Sequence, residues 1–145
     1  MRRMVLLASA FALVLAIQAL AEEKDASKLI GTWTVTSEES GGTKVSADKL
    51  KGRQVKITRD TITCTSADGK TEMACRYEVD TSKTPWQLTM NCTEGEHKGK
   101  KVQGIAELEG DTLKLCYSKP DTDAPTRFDG SKEGQCCVML KRESR

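Results

Sequence analysis

A two-residue alternation of apolar and polar side chains runs through most of this chain, and it constrains the fold more than any other feature. From Ile30 to Thr36, Gly31, Trp33 and Val35 occupy one phase while threonines occupy the other. Successive side chains of a β-strand point to opposite faces, so this pattern predicts strands with one buried face. Similar segments begin near Ile30, Gln54, Thr61, Glu72, Trp86, Val102, Leu113 and Gln135. The chain is therefore predicted to be all-β, with eight strands.

Most connections between these strands are short. Arg59-Asp60, Asp68-Gly69 and Gly110-Asp111 each indicate a tight turn. Short hairpins join antiparallel neighbours, and such strands lose their exposed sheet edges by closing into a barrel. We predict an antiparallel up-and-down barrel with a short helical turn before strand 1 and another after the first loop, at Ser46–Leu50. A two-sheet sandwich is the rival architecture, but its crossovers need longer connections than most of those here.

The N-terminal segment has the pattern of a secretory signal peptide. Arg2 and Arg3 form a basic region, Val5–Ile17 is almost wholly apolar, and Ala19-Leu20-Ala21 fits the small-x-small cleavage pattern. We predict that residues 1–21 are a signal peptide and that residues 22–145 form one domain. An uncleaved membrane anchor is the alternative, but the apolar run is shorter than the ~20 residues of a membrane span. The protein is therefore expected to be exported, to the periplasm or the extracellular space, with no membrane anchor after cleavage.

Composition excludes several classes of function. The chain has 23 basic and 21 acidic residues, and removing Arg2 and Arg3 leaves 21 of each. A domain without net charge gives no reason to expect nucleic-acid binding. There is one histidine, no Cys-x-x-Cys pair and no nucleophile elbow around a serine. We therefore expect a monomeric protein that is not an enzyme, with no catalytic residue, no metal site and no cofactor.

Six cysteines fall into two phases of the alternation: Cys64, Cys75, Cys92 and Cys136 point inward, and Cys116 and Cys137 point outward. An even number in an exported chain predicts disulfides, with buried reduced thiols as the alternative. The Asp68-Gly69 hairpin favours a Cys64–Cys75 bridge, because it brings both residues to one face. A Cys116–Cys137 bridge would join the last two strands, which leaves Cys92–Cys136 as the third pair.

Five stretches of the sequence together resemble a known family. They are Lys28–Val35, Leu50–Gly52, Lys98–Lys100, Leu108–Cys116 and Leu140–Glu143. In this order they resemble the lipocalin-like domain of unknown function that is abundant in planctomycete bacteria, over residues 28–143. The resemblance implies an exported eight-stranded barrel, with no known ligand and no known reaction. Of the cysteines, Cys116 alone matches the family pattern.

The same resemblance assigns a structural role to the Gly-x-Trp motif. In lipocalin-like barrels the first-strand tryptophan closes one end and often lies under a basic residue from near the C-terminus. Alternation along the last strand makes Arg142 the candidate to cover Trp33, a cation–π contact of ~1 kcal/mol. Gly31, Trp33 and Arg142 are thus expected to close the barrel, the alternative being that Arg142 is a solvated terminal charge.

The interior of the barrel suggests what the protein does. An eight-stranded barrel is just wide enough to be filled by side chains or to hold one small ligand. The candidate ligand-lining residues are Met73, Tyr77, Leu88, Met90, Val102, Gly104 and Ala106, of which Gly104 and Ala106 leave room. The first hypothesis is a module that binds a small apolar or amphipathic ligand.

Two other hypotheses place the function elsewhere. One is a solid-core structural or protein-interaction module of the cell envelope, which would use the long Ser118–Glu133 connection and the outer face. The other is a thiol oxidoreductase built on the vicinal Cys136-Cys137 pair. The sequence names no protein partner.

Overall fold

The computed structural model describes residues 26–143, which form one closed antiparallel barrel. The predicted signal peptide, residues 1–21, lies outside the described residues. The strands are β1 (Gly31–Ser40), β2 (Thr43–Lys44), β3 (Gln54–Ile57), β4 (Thr61–Thr65), β5 (Thr71–Asp80), β6 (Trp86–Glu94), β7 (Lys101–Glu109), β8 (Thr112–Ser118) and β9 (Gln135–Arg142). Each strand from β3 to β9 pairs with its sequence neighbour, and β1 pairs with both β3 and β9. The predicted eight-stranded up-and-down barrel is confirmed, with β2 as one extra strand.

The extra strand and the two helical turns are minor features. Gly41 and Gly42 have φ angles of +55° and +86°, which let β1 fold back so that Ser40 pairs with Thr43. A helical turn precedes β1, where the Leu29 amide donates to the Ala26 carbonyl at 3.2 Å. The second helical turn, α1, spans Ala47–Leu50 and buries Leu50. Both turns lie where the sequence predicts them.

A β-bulge interrupts the alternation in β1. Val35 pairs with Leu140, but after the bulge Ser37 pairs with Met139 and Glu38 with Val138. Residues directly opposite each other on antiparallel strands share a face, so Glu38 takes the inward phase of Val138. Uninterrupted alternation from Trp33 would place Glu38 outside. The bulge thus brings a carboxylate to the interior side of the barrel wall.

One end of the barrel is closed by the tryptophan of β1. Trp33 has no exposed surface, and its Nε1 donates to the Leu29 carbonyl at 3.0 Å. The guanidinium of Arg142 lies 4.3 Å from the centre of the Trp33 ring, as the resemblance predicts. Arg142 also donates to the carbonyls of Ile30 (3.1 Å) and Lys28 and lies 3.6 Å from the Asp111 carboxylate. This end is called the closed end below.

The glycine of the motif is required by this packing. Gly31 has a φ of +149°, which side-chain-bearing residues rarely adopt, and a Cβ there would lie 3.1 Å from Arg142 Nη1. Gly31, Trp33 and Arg142 therefore form one unit that closes the barrel.

Candidate functional site

A cavity of about 210 Å³ lies inside the barrel, toward the end opposite Trp33. Side chains of β1, β3, β4, β5, β6, β8 and β9 line it. Its apolar lining includes Val35, Val55, Ile62, Leu88, Met90 and Val138. Its polar lining lies at the open end of the barrel and includes Glu38, Arg53, Glu72, Glu96 and His97. This polar group, called the mouth below, separates the apolar interior from solvent.

An ion-pair cluster spans part of the mouth. Arg53, just before β3, donates from Nη1 to Glu38 at 3.1 Å and from Nε and Nη2 to Glu72 at 3.0 and 3.2 Å. The side chains of Arg53 and Glu38 are 23% and 18% exposed, so water screens this contact less than a surface pair. Burial alone would lower the pKa of Arg53, but the hydrogen bonds and charges of Glu72 and Glu38 raise it overall. The guanidinium thus holds β1 and β5 together across the start of β3.

The cavity contains one thiol, and its environment keeps that thiol protonated. Burial raises the pKa of Cys64 to about 11. At neutral pH only about one part in ten thousand would then be thiolate. Burial also raises the pKa of the neighbouring Tyr117 well above its usual range. A nucleophilic cysteine needs the opposite shift, so the Cys64 thiol lacks the activation that nucleophilic attack requires.

The structure divides the predicted ligand-lining residues into two groups. Met73, Leu88 and Met90 line the cavity. Tyr77, Val102, Gly104 and Ala106 do not; Tyr77, Val102 and Ala106 are buried in the wall around it. Tyr77 points to the closed end of the barrel, where its hydroxyl donates to the Thr58 carbonyl at 2.7 Å.

Gly104 has a different role from the one predicted. A Cβ at this position would lie 2.8 Å from the Cys116 carbonyl oxygen and 3.2 Å from Met90 Cε. Backbone and side chain already occupy the space that the glycine was expected to leave free. Gly104 therefore permits close approach of β7 and β8 and adds no room for a ligand.

The mouth residues were missed by sequence reasoning. The alternation that predicts the first strand ends at Thr36, so it gives no direction for Glu38, and the β1 bulge that turns Glu38 inward has no clear sequence signal. Alternation with the inward Met73 predicts that Glu72 faces outward, yet Glu72 lines the mouth. Arg53, Glu96 and His97 lie outside the strands, where alternation predicts no direction.

The cysteines pair differently from the prediction, with one exception. Cys116 and Cys137 are cross-strand neighbours in β8 and β9, 4.1 Å apart at Cα, and form the predicted disulfide. The predicted Cys64–Cys75 bridge is wrong: the Asp68-Gly69 turn sets a register in which Cys64 opposes Met73 and Cys75 opposes Ile62.

The Cys92–Cys136 pair is also wrong. Cys92 opposes Cys75 on β5, and their sulfurs lie 2.9 Å apart as free thiols. The hypothesis of a vicinal Cys136-Cys137 disulfide fails as well, since Cys137 is bonded to Cys116.

We expect oxidation to join Cys75 and Cys92. Their thiols are buried and in contact, and burial together with the mutual contact raises the pKa of Cys75. After slow exchange with a small-molecule disulfide, each pair of protein thiols yields one disulfide and two small-molecule thiols. Peptide mapping without reduction should then recover a Cys75–Cys92 peptide. Recovery of a Cys64–Cys75 peptide in its place would contradict the register described here.

Residues 26–143 show neither a cluster of metal-binding side chains nor a membrane-spanning helix. No group of three or more His, Cys, Asp or Glu side chains in this range is arranged to hold a metal ion. No helix in the described range is long and apolar enough to cross a membrane. In comparisons with known proteins, no family model matches this chain and no curated protein matches it.

Proposed function

We propose that this protein is a non-enzymatic binding module whose barrel holds one small apolar or amphipathic molecule. The observation that carries the proposal is the cavity of about 210 Å³ with an apolar interior and a polar mouth. Pockets for drug-sized ligands are larger, roughly 300–1,000 Å³. An apolar cavity of roughly 150 Å³ is enough to bind benzene. The ligand is therefore a molecule of about one ring or one short chain.

We also propose that the protein acts outside the cytoplasm. Disulfides persist in oxidising compartments, and the Cys116–Cys137 bridge is consistent with such a location. The signal-peptide pattern of residues 1–21 supports the same location, in the periplasm or beyond the cell. Membership of the planctomycete lipocalin-like family, proposed on the sequence resemblance, is consistent with the barrel.

A second candidate function uses the outer surface. A recess of about 590 Å³ lies between β1, β9 and the β8–β9 connection, lined in part by Val45, Phe128 and Met139. Met139 is 38% exposed, although it is a large apolar side chain. A structural or protein-interaction module would use this recess and leave the interior without a ligand.

Filling the cavity tests the first candidate. Val138 lines the cavity, so Val138→Phe should place a ring in the space of the ligand and weaken binding of benzyl alcohol at least about tenfold. Nuclear magnetic resonance titration in the millimolar range measures the affinity, and amide shifts should map to the cavity-lining strands.

The neighbouring residue provides the control. Met139 lies on the same strand but faces outward, so Met139→Phe should leave benzyl alcohol binding unchanged. Thermal unfolding of both variants checks that the barrel remains folded. If the amide shifts map to the outer recess instead of the cavity-lining strands, the cavity is not the binding site.

A further inference from the structure

We infer that the ligand of the cavity carries a cationic head, such as a primary ammonium, on a small apolar body. This inference rests on the proposed function and adds the charge of the ligand and its orientation. It follows from which charges line the mouth and which of them are already paired. The apolar interior determines that the body of the ligand is apolar, and the charges of the mouth determine the charge of its head group.

The mouth carries an excess of negative charge. Glu38, Glu72 and Glu96 line the cavity, and Arg53 is the only cation to do so among the described residues. The three glutamates and the arginine give the lining a formal charge of −2. Lys119 lines an adjoining recess with Glu38 and Arg53, and counting it leaves −1. The balance remains negative in either case.

The one cation in the lining is not free to bind an anion. Arg53 directs three donor atoms at two carboxylates, Glu38 and Glu72, at 3.0–3.2 Å. An anionic head group approaching Arg53 would also meet these two like charges, which disfavours it. The cluster therefore selects against carboxylates and phosphates despite the presence of an arginine.

Glu96 is the acceptor that remains available. It lies in the β6–β7 connection at the mouth and is exposed, and none of the ion pairs within residues 26–143 involves it. A cationic head beside Glu96 would remain partly hydrated, which avoids the cost of burying a charge. The apolar body would then extend past Met73 toward Leu88 and Met90. In this orientation the apolar body contacts the apolar interior and the cationic head lies at the acidic mouth.

Three probes with one ring and different heads test the inference: benzylammonium, benzyl alcohol and benzoate. At low ionic strength we expect benzylammonium to bind about tenfold more tightly than benzoate, with benzyl alcohol between them. The ratio should shrink at an ionic strength of about 0.5 M, where charges are screened within a few ångströms. Titration followed by amide chemical shifts gives all three affinities on the full folded domain.

A pair of charge-matched variants locates the effect. Glu96→Gln should narrow the ratio of benzylammonium to benzoate affinity about two- to threefold. Glu109→Gln removes the same charge from an exposed site next to the closed end and should leave the ratio unchanged. Benzoate binding as tightly as benzylammonium would overturn the inference while leaving the binding function intact. Binding of none of the three probes would instead overturn the proposed function.

Discussion

Replacing Trp33 with alanine should destabilise the barrel by about 3–5 kcal/mol, the range for loss of a large buried aromatic side chain. Trp33 has no exposed surface, and its indole nitrogen donates to the Leu29 carbonyl at 3.0 Å. The substitution removes the plug of the closed end and leaves that carbonyl without its partner. Denaturant unfolding measures the decrease in the free energy of unfolding. Far-ultraviolet circular dichroism is used to follow it, because that signal reports the backbone and not the deleted indole.

The contribution of Arg142 can be separated from that of Trp33. Arg142→Met keeps an apolar stem beside the ring but removes the cation and the donors to the Ile30 and Lys28 carbonyls. We therefore expect a smaller decrease in the free energy of unfolding, about 1–2 kcal/mol. A double-mutant cycle with Trp33→Ala should give a coupling of about 0.5–1 kcal/mol. Additive losses would mean that the 4.3 Å approach of guanidinium and ring is not an attractive contact.

Removing the Cys116–Cys137 disulfide should lower the free energy of unfolding by about 2–4 kcal/mol. The bridge joins residues 21 apart in sequence and therefore restricts the unfolded chain around the long β8–β9 connection. Cys116 is buried, with 1% of its surface exposed, so the double alanine variant also loses packing on the outer face of the wall. Denaturation of the wild type and of this variant under non-reducing conditions measures the difference.

A cysteine without this bond provides the control for the disulfide. Cys64→Ala removes a half-buried thiol that is not bonded in the structure, so a reducing agent should still destabilise this variant as it does the wild type. The Cys116/Cys137 double variant should lose that sensitivity. If reduction destabilised all three proteins equally, a different bridge would be stabilising the barrel.

The closing of the barrel was predictable because it depends on local patterns. Alternation around Trp33 and turn signals such as Gly110-Asp111 specify strands and hairpins residue by residue. Consecutive hairpins leave few topologies open, and closure removes the two exposed edges. The contact between Trp33 and Arg142 followed from the family resemblance together with alternation along β9.

The pairing of the cysteines was only partly predictable. Alternation separated the inward cysteines from the two outward ones, Cys116 and Cys137. These two could pair only with each other, and they do. Among the inward cysteines, the partner depends on register, and an offset of two residues keeps the face but changes the neighbour. Cys75 therefore meets Cys92 rather than Cys64.

By itself, the sequence determined an all-β chain of eight barrel strands, the tryptophan at its closed end and the inward phase of Met73, Leu88 and Met90. Only the tertiary structure decided which inward residues border empty space, because volume depends on how closely strands from distant parts of the chain approach. Atoms of β8 occupy the space beside Gly104, and a single β-bulge turns Glu38 inward. The cluster of Glu38, Arg53 and Glu72 joins β1 and β5 through the residue that precedes β3, and no local sequence pattern predicts a contact between such distant segments.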